Sequence, residues 1–270
     1  MQKVLFLLLI SIALVSLVTA EFNLDQLDVT IKDVKSDGSA RVRESIRFFI
    51  NTPYDTAVYE NGFNKNDLSF WANATGINDV RLHVDPNKVD IQNFRILPQP
   101  RKCNPFLNVC RGELILDYTV YPYLNINNDY INSTGLFKTT YEKPRTTKYT
   151  LNPSALLFRT SDNGDVILDN NVYLVIIFPQ SSLILDVNPL PSDIVLPSKQ
   201  SYLKWNNIAL VKFSTVFEVE ESIDKEVSEF FANVIKGTQN AITGKHGPAI
   251  FIIVSIFAAT YIYLQSIKKK

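Results

Sequence analysis

Few side chains in this sequence are able to do chemistry, and their spacing narrows what they can do. Cys103 and Cys110, the only two cysteines, stand seven apart in KCNPFLNVC, with Asn104 and Pro105 favouring a turn between them. In an oxidising compartment such a pair is a local disulfide closing a small loop. No histidine lies nearby to complete a metal site, and there is no CxxC redox pair. The two histidines are His83 and His246. His83 falls in Val80-Arg81-Leu82-His83-Val84, whose alternation as a strand places it on the polar, solvent-facing side. A zinc cluster needs more ligands than that, and no HExxH, GxSxG elbow, phosphate loop or GxGxxG is present. Asp55-Thr56-Ala57 lacks the glycine of an aspartic-protease signature. Asp162-Asn163-Gly164-Asp165, with Asp169 beyond, offers oxygens to calcium without the EF-hand spacing, and Asn-Gly between strands is first a hairpin turn. No cofactor and no enzymatic activity is expected; the enzymatic alternative is a carboxylate pair drawn from distant parts of the chain.

Two sequons, Asn73-Ala74-Thr75 and Asn132-Ser133-Thr134, are acceptors for glycans if the chain is exported. Asn132 lies in the polar stretch 125–133, and Tyr121, Tyr123 and Tyr130 around it are able to stack on a sugar or a partner.

Export is what the ends of the sequence predict. Met1-Gln2-Lys3 leads into an apolar run from Val4 to Val18, and Val18 and Ala20 place small side chains before Glu21. That is a secretory signal peptide over 1–20. Pro248 to Leu264 carries no charge, and continued to Ile267 it reaches the ~30 Å of a hydrocarbon core. Lys268, Lys269 and Lys270 follow at once, so the tail 268–270 belongs on the cytoplasmic side. The expected topology is single-pass, with the N-terminal part extracellular or lumenal and a transmembrane helix over 248–267. Lys plus Arg equals Asp plus Glu at 27 each, so no global field recruits nucleic acid.

The elements between these ends read as strands. Val29, Ile31 and Val34 run up to Ser36-Asp37-Gly38-Ser39, after which Val42, Glu44, Ile46, Phe48 and Ile50 alternate with Arg41, Arg43, Ser45 and Arg47. Alternation around an Asp-Gly turn is a strong hairpin signal. Similar texture recurs at 80–84, 89–97, 113–120, 146–151, 166–168, 172–178 and 208–219, and no run before residue 222 is helical in pattern. The expected fold class is all-β, an antiparallel β-sandwich. The Asn-rich stretch divides it into 21–124 and 135–220, either two small sandwiches or two halves of one. An amphipathic helix is expected over 222–243, with Ile223, Val227, Phe230, Phe231 and Val234 forming its apolar stripe.

VTIKDVKSDGSARVRESIRFFI resembles the opening of predicted archaeal and bacterial membrane proteins with an exported β-sandwich, in its extended strand, D-G turn and V-x-E strand. VYLVIIFPQSSLILDVNPLPSD, followed by LKW, is similar to the strand, Pro, strand, Pro, Trp succession of such ectodomains. The resemblance covers about a third of the chain and implies an extracytoplasmic sandwich without assigning any functional residue. Many of those proteins carry further helices, whereas a single span is expected here.

The function these features predict is non-enzymatic: a membrane-anchored sandwich for binding, adhesion or envelope structure, with membrane lipid as one partner and a protein or glycan outside as another. The alternative is an accessory subunit of a membrane complex, such as export or glycosylation machinery, docked through the 222–243 helix. No oligomeric state is read from the sequence.

Overall fold

The computed structural model describes residues 22–107, 109–124, 134–143, 145–195 and 201–220. The chain divides into two compact units, Met1–Glu142 with Thr146–Val219, and Lys143–Arg145 with Glu220–Lys270. Nearly all described residues belong to the first unit, whose architecture follows. The expected signal peptide 1–20, helix 222–243, span 248–267 and tail 268–270 lie outside the described residues, as does the loop 125–133. Among the described residues no helix is long and apolar enough to cross a membrane.

The unit is all-β in its main elements and rich in antiparallel pairs. β1 (Asn23–Lys32) and β2 (Ala40–Ile50) form the hairpin expected at Asp37-Gly38. Gly38 takes φ +81°, which a residue with a Cβ rarely adopts, and the Ser39 N–H donates to Asp37 Oδ1 at 2.9 Å. β3 (Asp90–Asn104) and β4 (Val109–Tyr121) make a second, longer hairpin. Then come β5 (Phe137–Lys143), β6 (Thr146–Leu151), β7 (Arg159–Thr160), β8 (Val166–Ile177), β9 (Ser182–Asn188), β10 (Asp193–Val195), β11 (Tyr202–Leu210) and β12 (Ser214–Glu220).

The larger sheet has the order β10-β11-β8-β1-β2-β4-β3, with β7 on β8; the smaller is β5-β6-β12-β9. Strands from both sides of the 125–133 stretch therefore share one sheet, so 21–124 and 135–220 do not form separate sheets. β8 runs parallel to β1, from Leu27↔Val172 to Ile31↔Ile176. The stretch 208–219 is two strands, not one: β11 ends in the larger sheet, and after Val211-Lys212-Phe213 β12 begins in the smaller.

Residues of both sheets meet in one hydrophobic core. Phe217 of β12 is its aromatic hub, with ring centroids 5.7 Å from Phe137, 4.8 Å from Tyr149 and 5.0 Å from Phe178, which follows β8. A fully buried phenylalanine contributes about 1.5–3 kcal/mol of transfer free energy.

Two short helices depart from the expectation of none before residue 222. α1 (Pro53–Asn61) starts with a capping box: Thr52 Oγ1 accepts the Asp55 N–H at 3.1 Å, and Asp55 Oδ2 accepts the Thr52 N–H at 2.8 Å. α2 (Leu68–Thr75) is capped by Asp67, whose Oδ1 accepts from Ser69 N at 2.9 Å, and it ends at Gly76 with φ +63°. These helices are too short to show an apolar period, so their caps define them. Asp55, which stood out as a protease-like aspartate, is the buried half of the α1 cap.

The strand expected at Val80–Val84 does not form. Residues 77–89 cross to β3 as irregular chain, with an isolated bridge at Val84↔Leu156.

Candidate functional site

The cysteine spacing leads to an exposed, covalently closed turn. Cys103 and Cys110 are cross-strand partners near the tip of the β3–β4 hairpin, joined by a disulfide with Cα atoms 4.0 Å apart. The turn is set locally: Asn104 Oδ1 accepts the N–H groups of Phe106 at 2.9 Å and Leu107 at 3.3 Å. This holds two large apolar side chains in solvent. Phe106 is 95% exposed and Leu107 70%. Single exposed apolar residues are common, but a pair held out on a covalently closed turn is a patch able to bind.

Beneath the tip, a groove of about 460 Å³ is lined by Phe49, Leu107, Val109, Lys102 and Arg111 among others. Arg111 lies over the Phe49 ring at 5.1 Å and its Nε pairs with Asp25 Oδ2 at 2.9 Å. Arg101 pairs with Glu60 at 3.0 Å, and its Nη1 stands 3.7 Å from Cys103 Sγ. The groove has an apolar floor edged by cations.

Strand direction fixes where this tip lies. Ile50 at the end of β2 opposes Cys110, and Asn23 at the start of β1 opposes Phe49. β8, parallel to β1, runs away from that end, and β9 returns, so that Asn188 Nδ2 donates to the carbonyls of Val211 and Lys212 beside the end of β11. β12 then runs antiparallel to β9 and stops with Val219 opposite Ser182. The stapled tip and the end of β12 thus stand at opposite ends of the strands.

His83 is not at the surface. It is 1% exposed, and the reason is the missing strand: without alternation from 80 to 84, the chain turns this side chain into the core beside Phe158, ring centroids 5.1 Å apart. There it meets Glu44, which no feature of the sequence marked as inward-facing and paired, except its place among apolar residues on the Val42-Ile46-Phe48 face. Glu44 Oε1 accepts the His83 backbone N–H at 2.9 Å and the Tyr118 O–H, and Oε2 accepts from Nδ1 at 2.8 Å. The Nε2 atom has only the Asp79 carboxylate, at 3.8 Å. Burial pulls the imidazole down, but the Glu44 charge, the nearby Asp79 carboxylate and the bond to Glu44 outweigh it, leaving His83 raised to about 9. The side chains of Glu44, His83 and Tyr118 are sealed from solvent.

Of the sequons, Asn73 is exposed on α2, while the Thr75 hydroxyl is buried and donates to Trp71 O at 2.8 Å. Asn132 and the stripe Ile223, Val227, Phe230, Phe231 and Val234 lie outside the described residues. Asp162 to Asp165 form a hairpin turn, in which the Gly164 N–H donates to Ser161 O at 2.9 Å with φ +83°. Among the described residues, no three His, Cys, Asp or Glu side chains are grouped to hold a metal ion.

No protein-family model matches the chain, and no curated protein matches it. Among solved structures, an aminopeptidase A of Legionella pneumophila, crystallised with aspartic acid, is similar over 75% of this chain at 10% identity and a TM-score of 0.28. The match spans 22% of the length of that aminopeptidase, and at this level it bears on neither the fold nor the activity here.

Proposed function

We propose that this protein is an exported, single-pass membrane protein whose β-sandwich presents the stapled 103–110 hairpin as a protein-binding tip. The observation that carries the reading is the pair Phe106 and Leu107, held in solvent by a disulfide and an Asn104 turn at the end of the strands remote from where β12 stops. A disulfide belongs with an oxidising, extracytoplasmic compartment, which agrees with a signal peptide over 1–20.

The test places a photoreactive side chain at Phe106, and separately at Lys65, in the full-length chain within native membranes. A discrete adduct from position 106 alone, lost in the Cys103→Ser/Cys110→Ser variant, is the expected result. Equal labelling from both positions, or digestion of the hairpin by protease confined to the cytoplasmic side of an intact membrane, would refute it. An adduct formed only through Phe230 or Phe231 would favour the accessory-subunit reading.

A further inference from the structure

Along the outer face of the larger sheet, cations sit where sheet physics disfavours them. Lys32 on β1 is the direct cross-strand partner of Arg41 on β2, and Lys102 on β3 is that of Arg111 on β4. Like charges directly opposite one another, with Cβ atoms about 5 Å apart, destabilise a sheet. Both pairs lie on the face turned from the core, since β2 buries Val42, Glu44, Ile46, Phe48 and Ile50 and turns Arg41, Arg43 and Arg47 outward.

Between these pairs, Arg43 and Arg95 flank a single carboxylate, because each is in register with Asp117. Asp117 is already taken up by Arg41, whose Nε donates to Oδ1 at 2.8 Å. Lys32, Arg43, Arg95 and Lys102 make no ion pair among the described residues.

We propose that this face binds an acidic polysaccharide, a linear polyanion bearing carboxylate or sulfate groups. The whole chain carries equal numbers of cationic and anionic residues, 27 of each, so any attraction is local to this strip. From the Lys32–Arg41 row to the Phe49–Arg111 row is eight residues of β2, about 27 Å, a length for an extended chain and not a compact anion. Adsorption to a bilayer needs apolar side chains among the cations. Between these rows Leu97, 41% exposed, is a large apolar side chain open to solvent, and Phe106 and Leu107 stand beyond them at the hairpin tip. Export supplies the setting in which such a polysaccharide is met, so the source of the ligand rests on that reading while the binding itself does not.

The test uses the full-length chain in nanodiscs of neutral lipid and heparin as the probe. The wild type binds, and its affinity falls as salt rises from about 50 to 200 mM, as screening requires. Arg43→Gln with Arg95→Gln weakens binding at least about tenfold and leaves Tm nearly unchanged, because both side chains face outward beside an Asp117 that Arg41 already engages. Lys65→Gln with Lys88→Gln, an equal change of charge outside the strands, leaves the Kd within about twofold. Absence of heparin binding, equal losses in the two variants, or tighter binding to phosphatidylglycerol vesicles or a single-stranded oligonucleotide would each overturn the proposal. Neither variant touches residues 103–110, so failure here leaves the hairpin reading standing.

Discussion

Glu44 grips His83 with both oxygens, one on the backbone N–H at 2.9 Å and the other on Nδ1 at 2.8 Å, with both residues at most 1% exposed. The contact joins the middle of β2 to irregular chain that has no strand partners of its own. Together with the Val84↔Leu156 bridge, it fixes residues 77–89 against the sheet. Tyr118 on β4 completes the carboxylate, and burial with the Glu44 charge beside it pushes this phenol well above its usual range.

Stability is expected to decline on the alkaline side because of this pair. His83 is raised to about 9 in the fold, above its ordinary 6.5. Its stabilisation is therefore fully present below about pH 6.5 and is lost as pH rises through about 9. The loss is on the order of 3 kcal/mol, with Asp79 adding to it and Arg81 opposing it. Urea midpoints measured from pH 6.5 to 9.5 should fall for the wild type and change far less for His83→Gln. A flat wild-type profile would mean that His83 is uncharged in the fold.

Tyr59 should be intolerant of losing one oxygen. Its hydroxyl reaches Gln99 O at 2.6 Å and Glu113 O at 3.0 Å while accepting the Glu113 N–H at 3.1 Å. Burial raises this phenol to about 12. Tyr59→Phe leaves these backbone groups short of a partner, at a cost of about 1–3 kcal/mol in denaturant unfolding. A change below about 0.3 kcal/mol would show that solvent replaces the hydroxyl.

At Gly112 the limit is space. A Cβ there would lie 2.7 Å from Phe48 and 3.1 Å from Tyr59, both fully buried and unable to swing aside. Gly112→Ala should destabilise by about 1–3 kcal/mol through overpacking, read as a lower Tm. An unchanged Tm would require β4 to shift from β2 at that point.

The disulfide closes a loop of few residues, so its removal has a modest global cost. Cys103→Ser with Cys110→Ser should lower stability by about 2 kcal/mol, a figure that depends on the loop-entropy treatment. The larger effect is local: amide exchange at Phe106 and Leu107 should quicken severalfold while that of β1 and β2 is unchanged. Uniformly faster exchange would place the staple in the global fold instead of the tip.

How much of this was legible in the sequence varies by residue. The Asp37-Gly38 hairpin, the alternation of β2 and the Cys103–Cys110 pairing are local, each decided by side chains a few positions apart. The helices α1 and α2 were legible too, through Thr52-Pro53 with Asp55 and through Asp67 with Gly76, but eight or nine residues give no apolar period to notice. His83 was misplaced because its side of the chain was inferred from a strand that tertiary packing does not form.

Alternation in sequence reports that a strand has two faces and says nothing about its neighbours. The sequence alone determined the strand texture, the turns and the staple, because those depend on backbone stereochemistry and short-range spacing. Tertiary structure alone decided that β8 lies parallel to β1, that Glu44 receives His83, and that Lys32 faces Arg41 and Lys102 faces Arg111. Each of those is a contact between residues separated in sequence, selected by which apolar faces close the common core.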